Sequence, residues 1–191
     1  MEQEMEKIRC DWANGHELDE QYHDDEWGRA EHNEQKLFEM LLLESMQAGL
    51  SWSTILKKRE TLTKAYDQFD YTKIAEYQQE KIDSLLEDPG IIRNKLKVKA
   101  AINNAKVFMQ IQEEYGSFDQ FIWAYVDGKP IKNRWATISE VPTSTELSDK
   151  ISKDLKKKGF KFLGTTTVYA FMQATGMVDD HLAYCFRSHE A

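Results

Sequence analysis

The sequence predicts a single domain built entirely from helices. The chain has 191 residues with only 3 prolines and 9 glycines, which is sparse for a turn-rich β architecture. Apolar residues recur at the spacing of a helix face along most of the chain, and no segment shows the strict alternation of a half-buried strand. A chain of this length can bury one substantial core, and no internal repeat or low-complexity linker divides it.

The first predicted helices follow a clear pattern of apolar residues and caps. Residues 34–49 are apolar on nearly all sides, so we expect this helix to be buried. Gly49 is suited to end it, and Ser51 is suited to cap a second helix over 52–69, whose charges fall on one outer face. Residues 70–88 predict two short helices with a break between them.

Pro89 and Gly90 separate these helices from the second half of the chain. A long helical pattern covers 91–116, and a shorter apolar segment covers 117–128. The last predicted helix covers 165–176. Each segment repeats its apolar residues at helical spacing, which extends the all-α prediction to the second half.

The segment 141–159 carries signals for both ends of a helix. Thr143 and Glu146 have the spacing of a capping box, which predicts the start of the helix there. Lysines fill the last turn and Gly159 follows them, and both features favour a helix C-terminus.

Composition and charge exclude several classes of protein. No apolar stretch approaches the roughly 18–20 residues of a membrane span, and the charged N-terminus lacks the apolar region of a secretory signal, so we expect a cytoplasmic protein. The formal net charge of −8 does not favour nucleic-acid binding. However, basic residues cluster in 57–60, 93–99 and 153–162, which allows one cationic face.

Two cysteines lie near opposite ends of the chain, each with a histidine nearby. His181 precedes Cys185 by four residues, and His23 follows Cys10 by thirteen. Together these four residues would suit tetrahedral Zn²⁺ in a closed structural site that ties the two ends together. The alternatives are a disulfide, which a cytosolic setting disfavours, and two plain buried thiols.

A glutamate interrupts the apolar helix predicted over 34–49. Glu44 shares a helical face with Leu37, Met40 and Leu41, and a buried carboxylate is costly unless it is paired or used. It could cap a buried hydrogen-bond network or pair with an arginine such as Arg93, or it could accept hydrogen bonds at the floor of a pocket. Aromatic residues that could line such a pocket and bind a flat cationic ring are Trp12, Tyr22, Trp27 and Trp52.

Residues 85–105 resemble a helix-hairpin-helix motif. Pro89 and Gly90 would form the turn, although Ile92 stands where the motif usually has a second glycine. Backbone N–H groups at such a turn and helix N-terminus can bind a DNA phosphate without a large basic surplus.

Several stretches, in order, resemble the DNA-3-methyladenine glycosylase I family of bacterial alkylation-repair enzymes. The resemblance covers about residues 9–186. The stretches that carry it are RCDW, YHDDEWG, KLFEMLLLESMQAGLSWSTILKKRE, GIIRNKLKVKAAINNA, VPTSTELSDKISKDLKKKGFKFLGTTTVYAFMQATGMVDDH and HLAYC. The resemblance implies an all-α helix-hairpin-helix glycosylase fold over residues 1–191, in which a zinc site joins the N- and C-terminal segments. Residues 1–8 extend beyond the usual start and are expected to be disordered, with Met5 as an alternative initiator.

The resemblance also implies roles for individual residues. Glu44 corresponds to the carboxylate that reads the base and is the candidate catalytic residue. The other implied residues are Tyr22, Trp52 and Trp12 for the substrate, Gln47, Gly49, Leu50 and Gly90 for DNA, and Cys10, His23, His181 and Cys185 for structural Zn²⁺. Asp19 stands where some family members have a second pocket tyrosine, which predicts a difference on one side of the bound base.

The implied activity is hydrolysis of the N-glycosidic bond of 3-methyladenine in alkylated double-stranded DNA. The enzyme would flip the base out of the helix and use water rather than a Schiff-base lysine. We expect a monomer with no obligate protein partner. The alternatives are a non-catalytic zinc-containing module that binds DNA damage, and a related glycosylase with a shifted range of substrates.

Overall fold

The computed structural model describes residues 7–190, and helices dominate this part of the chain. The α-helices are α1 (Glu17–Asp25), α2 (Glu34–Gln47), α3 (Trp52–Ala65), α4 (Tyr71–Ile74), α5 (Gln79–Glu87), α6 (Lys95–Tyr115), α7 (Phe118–Trp123), α8 (Glu146–Lys158) and α9 (Thr165–Ala174). Short 3-10 helices cover Asp11–Ala13, Asp67–Phe69, Ala124–Val126, Ile138–Glu140 and Phe186–His189. Within residues 7–190, no helix has the length and apolar character needed to cross a bilayer.

Helix α2 lies at the centre of the fold. It packs against α3, α6, α7 and α9, and all its residues from Leu37 to Met46 are buried. Each fully buried leucine or phenylalanine stabilises such a core by about 1.5–3 kcal/mol. The prediction of a buried helix is therefore confirmed, and Glu44 is held inside the protein because its helix is enclosed on all sides.

Side-chain caps set the boundaries of the helices around α2. Ser51 accepts a hydrogen bond from the Thr54 N–H at 3.2 Å and begins α3, as predicted. Asn94 accepts one from the Lys97 N–H at 3.1 Å and begins α6. The predicted break within 70–88 is also confirmed, since α4 and α5 are separate helices.

The predicted capping box of Thr143 and Glu146 is wrong. The box is formed instead by Thr145 and Ser148: the Thr145 hydroxyl accepts from the Ser148 N–H at 3.2 Å, and the Ser148 hydroxyl accepts from the Thr145 N–H at 2.8 Å. A serine can therefore make the return bond that the sequence pattern assigned to a glutamate, and α8 begins two residues later than that pattern requires.

Two short strands were not predicted. β1 (Ile131–Lys132) and β2 (Val178–Asp179) pair in parallel, with Ile131 opposite Val178. Each strand has two residues, which is too short for an alternating pattern. The pairing is important for the site, because the residues directly after β2 are Asp180 and His181.

The N-terminal segment lies against the C-terminus. The predicted disordered extension, residues 1–8, falls outside the described residues except for its last two. There the backbone carbonyl of Ile8 accepts a hydrogen bond from the Phe186 N–H at 2.8 Å. This contact ties the backbone of residue 8 to the other end of the chain, and disorder over residues 1–8 stays a prediction.

Candidate functional site

A cavity of about 240 Å³ opens beside α2. It is smaller than the roughly 300–1,000 Å³ of typical ligand pockets, and this size suits a single small ring system. Its lining is mainly apolar and aromatic, with few polar groups. The lining residues are Cys10, Trp12, Tyr22, Trp27, Glu44, Gln47, Trp52, Ile138, Val141, Ala170, Gln173, Asp180 and Leu182.

All four residues predicted to bind the substrate line this cavity. Tyr22 comes from α1, Glu44 from α2 and Trp52 from the first position of α3. Trp12 comes from the 3-10 helix before α1, and its ring centroid lies 6.3 Å from that of Tyr22. The rings of Tyr22 and Trp52 are 5.2 Å apart and tilted by 48°. The fold therefore assembles aromatic surfaces and one glutamate from separate elements.

Three polar atoms in this cavity lack partners. They are the Tyr22 hydroxyl, Glu44 Oε2 and Trp52 Nε1, and each is buried without a hydrogen bond from any residue in 7–190. Only two other buried side-chain atoms in that part of the chain share this condition. Burying a polar atom without a hydrogen bond lowers the free energy of unfolding by about 1–3 kcal/mol. Three of them around one small cavity indicate a ligand that supplies the missing hydrogen bonds.

Burial changes the ionisation of the glutamate. Loss of solvent raises the pKa of Glu44 to about 8, which favours its neutral carboxylic acid form near pH 7. Burial also raises the pKa of Tyr22, and the Glu44 charge adds to this effect. The alternative of an ion pair with Arg93 is wrong, because Arg93 is exposed and makes no salt bridge to Glu44.

The raised pKa of Glu44 predicts a pH-dependent stability. The folded protein binds more protons than the unfolded chain between the ordinary value of 4.5 and about 8. The contribution of Glu44 to the free energy of unfolding is therefore highest below pH 4.5 and is lost as the pH rises towards 8. Glu44→Gln removes this loss, so we expect its stability relative to wild type to increase by roughly 3 kcal/mol from pH 5 to pH 8. Urea unfolding at both pH values checks this, and a pH-independent difference would refute it.

Asp19 does not line the cavity. It is buried, and its Oδ2 accepts a hydrogen bond from the Ser53 hydroxyl at 2.7 Å. Asp19 therefore connects α1 to α3 and does not place a second carboxylate in the cavity.

The sequence did not indicate several residues of the cavity wall. Trp27 was noted among the nearby aromatic residues, but Asp180 and Ile138 were not assigned to the site. Asp180 is buried and accepts hydrogen bonds from the side chains of Asn133, Trp135, Tyr169 and Gln173. The only sequence feature near Asp180 was the adjacent His181 in the DDH stretch, and that histidine predicted a metal site rather than a cavity wall.

The predicted DNA-contact residues lie in two separate segments. Gln47 lines the cavity, while Gly49 and Leu50 form the exposed turn between α2 and α3. Gly49 has φ +79°, which favours glycine. Gly90 lies in the connection between α5 and α6, where its N–H donates to Asp88 Oδ1 at 2.7 Å. A phosphate at Gly90 would therefore have to replace the Asp88 carboxylate.

Three of the four predicted metal ligands form one cluster. The ligand atoms of Cys10, His23 and Cys185 all lie within 4.8 Å of one another, and all three residues are buried. His181 is adjacent, with its ring 5.0 Å from that of His23. Its Nε2 is buried and has no hydrogen-bond partner among residues 7–190.

Carboxylates orient both histidine rings. Asp24 Oδ1 lies 2.9 Å from His23 Nδ1, and Asp179 Oδ1 lies 2.6 Å from His181 Nδ1. His23 Nε2 then lies 3.4 Å from Cys185 Sγ. Carboxylates orient metal-bound histidines in the same way. Gly28 permits the position of His181, because a Cβ atom at residue 28 would lie 2.7 Å from His181 Cε1.

The two cysteines are free thiols. The proximity of Cys10 and of the His23 ring lowers the pKa of Cys185 to about 4, and the proximity of Cys185 together with burial raises that of Cys10 well above its usual range. One thiolate in a buried cluster with two oriented imidazoles is a donor set that suits Zn²⁺. The donors therefore fit a metal.

Comparison with known proteins identifies the family. Residues 12–188 match the sequence profile of the Methyladenine glycosylase family. The chain belongs to this family. As a methyladenine glycosylase family member, it is 48% identical over 177 residues to DNA-3-methyladenine glycosylase 1 of Escherichia coli K12, covering 93% of this chain and 95% of that protein.

Other members of the family are similarly close. The DNA-3-methyladenine glycosylase of Haemophilus influenzae is also 48% identical, covering 93% of this chain and 96% of that protein. A solved structure of 3-methyladenine DNA glycosylase I from Staphylococcus aureus, which addresses recognition of 3-methyladenine, superimposes with a TM-score of 0.92 at 38% identity. It covers 96% of this chain and 97% of that one. The fold of this family member is therefore that of solved methyladenine glycosylases.

Proposed function

We propose that this chain is a DNA-3-methyladenine glycosylase that hydrolyses the N-glycosidic bond of 3-methyladenine in alkylated double-stranded DNA. One observation carries the proposal: three buried, unpaired polar atoms surround a cavity of about 240 Å³ lined by aromatic rings. Membership of the methyladenine glycosylase family supports the same substrate. A damaged base must leave the DNA stack to reach such a cavity.

The cavity suits a cationic purine. 3-Methyladenine carries a positive charge while it is attached to the sugar, and aromatic faces such as those of Trp52 and Tyr22 attract cationic rings. Glu44 would accept hydrogen bonds from the amino edge of the base. The charge of the bound base would lower the raised pKa of Glu44 and favour its carboxylate form. Neutral adenine lacks that charge, so it would not favour the carboxylate form of Glu44.

The chemical step needs little help at the leaving group. As the bond between C1′ and the ring nitrogen breaks, its electron pair moves to the base, which leaves as a neutral molecule. Water bonds to C1′ and its proton passes to solvent, so no covalent enzyme intermediate forms. The contribution of the protein is to select the charged base and to hold it, flipped, where water can reach C1′.

We propose that two segments hold the DNA. The turn of Gly49 and Leu50 would enter the duplex where the base leaves, with Gln47 between that turn and the cavity. The connection between α5 and α6, within residues 85–105, would act as a helix-hairpin-helix at a phosphate near Gly90. Its attachment to α3 through the Thr61 hydroxyl and the Gly90 carbonyl supports a fixed position for this connection.

We propose that Cys10, His23, His181 and Cys185 bind one structural Zn²⁺. The cluster of three ligands, the unpaired His181 Nε2 and the two orienting carboxylates support this assignment. The metal would supply no chemistry to the reaction. It would join the two ends of the chain and hold His23, whose neighbour Tyr22 lines the cavity. We further propose a cytoplasmic monomer without an obligate protein partner.

Chromatography of bases released from methylated DNA tests the proposed function. We expect free 3-methyladenine as the main product, with little 7-methylguanine or 3-methylguanine. Release of the methylguanines at comparable rates would indicate a glycosylase of broader range. Binding to methylated DNA without release of any base would contradict the enzyme and favour a non-catalytic module that recognises damage.

A further inference from the structure

Lys97 is a buried lysine that has no carboxylate partner among residues 7–190. Its side chain lies in the first turn of α6 and the residue is only 7% exposed. Its Nζ atom donates to the backbone carbonyls of Met46 at 2.8 Å and Ala48 at 2.7 Å. Burial lowers the pKa of Lys97. Burying an amine costs free energy unless hydrogen bonds replace its contacts with water, and the two carbonyls supply those hydrogen bonds here.

The carbonyls that Lys97 binds belong to the end of α2. The last four carbonyls of a helix have no partner within the helix, and a cation there is also favoured by the helix dipole. Ala48 is the C-cap residue, and the turn of Gly49 and Leu50 begins directly after it. Lys97 therefore fixes the point at which this turn leaves α2.

The other end of the turn is fixed independently. The Leu50 N–H donates to the Gln47 carbonyl at 2.7 Å, and Ser51 caps α3. Leu50 itself is 37% exposed. Residues 47–51, here called the α2–α3 turn, thus present an exposed leucine between two anchored ends.

Lys97 also follows the second proposed DNA-contact segment. The connection 88–94 ends at Asn94, whose side chain accepts a hydrogen bond from the Lys97 N–H at 3.1 Å. The backbone of Lys97 is therefore set by this connection, while its side chain holds the α2–α3 turn.

We propose that Lys97 is a positioning residue that sets the α2–α3 turn relative to the connection 88–94, so that both segments engage one DNA duplex while the base is flipped. This inference rests on the proposed function. Lys97 is not among the residues that line the cavity, and on this proposal it does not touch the base. Its effect is confined to bringing the nucleotide into the cavity.

The variant Lys97→Met tests this proposal. It keeps an unbranched side chain of similar length and removes both hydrogen bonds. Because a displacement of about 1 Å can cost about 100-fold in rate, we expect kcat/KM for 3-methyladenine release from duplex DNA to fall by about 10- to 100-fold. The affinity for free 3-methyladenine, measured by tryptophan fluorescence, should change less than twofold, because the cavity is intact.

Two further variants make the result specific. Lys106→Met removes an exposed lysine from the same helix and should retain duplex activity. Lys97→Arg keeps a cation but displaces it, so we expect reduced duplex activity with normal affinity for the free base, even where Lys97→Met does not fold.

Two outcomes would overturn the proposal. One is duplex activity in both Lys97 variants equal to that of Lys106→Met. The other is a parallel loss of free-base affinity, which would make Lys97 a support of the cavity or the fold. Failure of the proposed function has a different signature, because wild-type protein would then release no 3-methyladenine. In that case weaker binding of Lys97→Met than Lys106→Met to an abasic duplex would still support positioning.

Discussion

Replacing Glu44 by glutamine is expected to slow release of 3-methyladenine from methylated DNA by about 100-fold or more. Loss of one buried group that stabilises charge developing in the transition state costs that much in other enzymes. The amide has nearly the shape of the carboxyl group, but it cannot become an anion beside the cationic base. Single-turnover release from methylated duplex DNA measures the effect.

A second buried glutamate of α2 provides the control. Glu39 lies outside the cavity and pairs with Arg59 at 3.2 Å. Glu39→Gln should lower the free energy of unfolding while release remains near the wild-type rate under conditions where the variant is folded. Equal losses of release in the two variants would show that damage to α2, rather than loss of the pocket carboxylate, explains the result.

Removal of the proposed zinc is expected to destabilise the protein by about 4 kcal/mol or more, which is the stabilisation from a ligand present at a thousand times its Kd. The proposed ligands come from both ends of the chain, so the metal would close a long loop. We also expect slower base release, because Tyr22 precedes His23 on α1. Unfolding measured with and without a strong chelator tests both effects.

Metal analysis and one variant make this prediction specific. The purified protein should hold about one zinc per chain, and Cys185→Ala should lose the metal and become insensitive to the chelator. Ser84→Ala, at an exposed serine of α5, should leave both the zinc content and the chelator response unchanged. Protein without zinc that unfolds as wild type does would contradict the assignment of the site.

The helices could be predicted where their signals are local. Apolar periodicity located α2, and the hydroxyl of Ser51 located the start of α3, because both depend on residues a few positions apart. The strands β1 and β2 could not be predicted, because a two-residue strand has no pattern of its own and exists only through its distant partner. The start of α8 was misplaced since two alternative hydroxyl caps lie within three residues.

The sequence predicted a site residue where one residue type is unusual among its neighbours. Glu44 was identified because a carboxylate is anomalous in an apolar helix. By contrast, Asp180 follows β2 and Ile138 begins a short 3-10 helix, and only the folded chain brings these two residues to the cavity. Lys97 was counted within the basic cluster 93–99, and its burial against the end of α2 depends on contacts about fifty residues away in sequence.

A crystal structure of this protein with 3-methyladenine tests the central claim most directly. We predict that the base lies in the cavity between Trp12, Tyr22 and Trp52, with Glu44 Oε2 within hydrogen-bond distance of its amino edge. At least one of the other two unpaired atoms, the Tyr22 hydroxyl or Trp52 Nε1, should also contact the base or a water held by it. A base bound elsewhere, or bound here with Glu44 Oε2 still unpaired, would contradict the account.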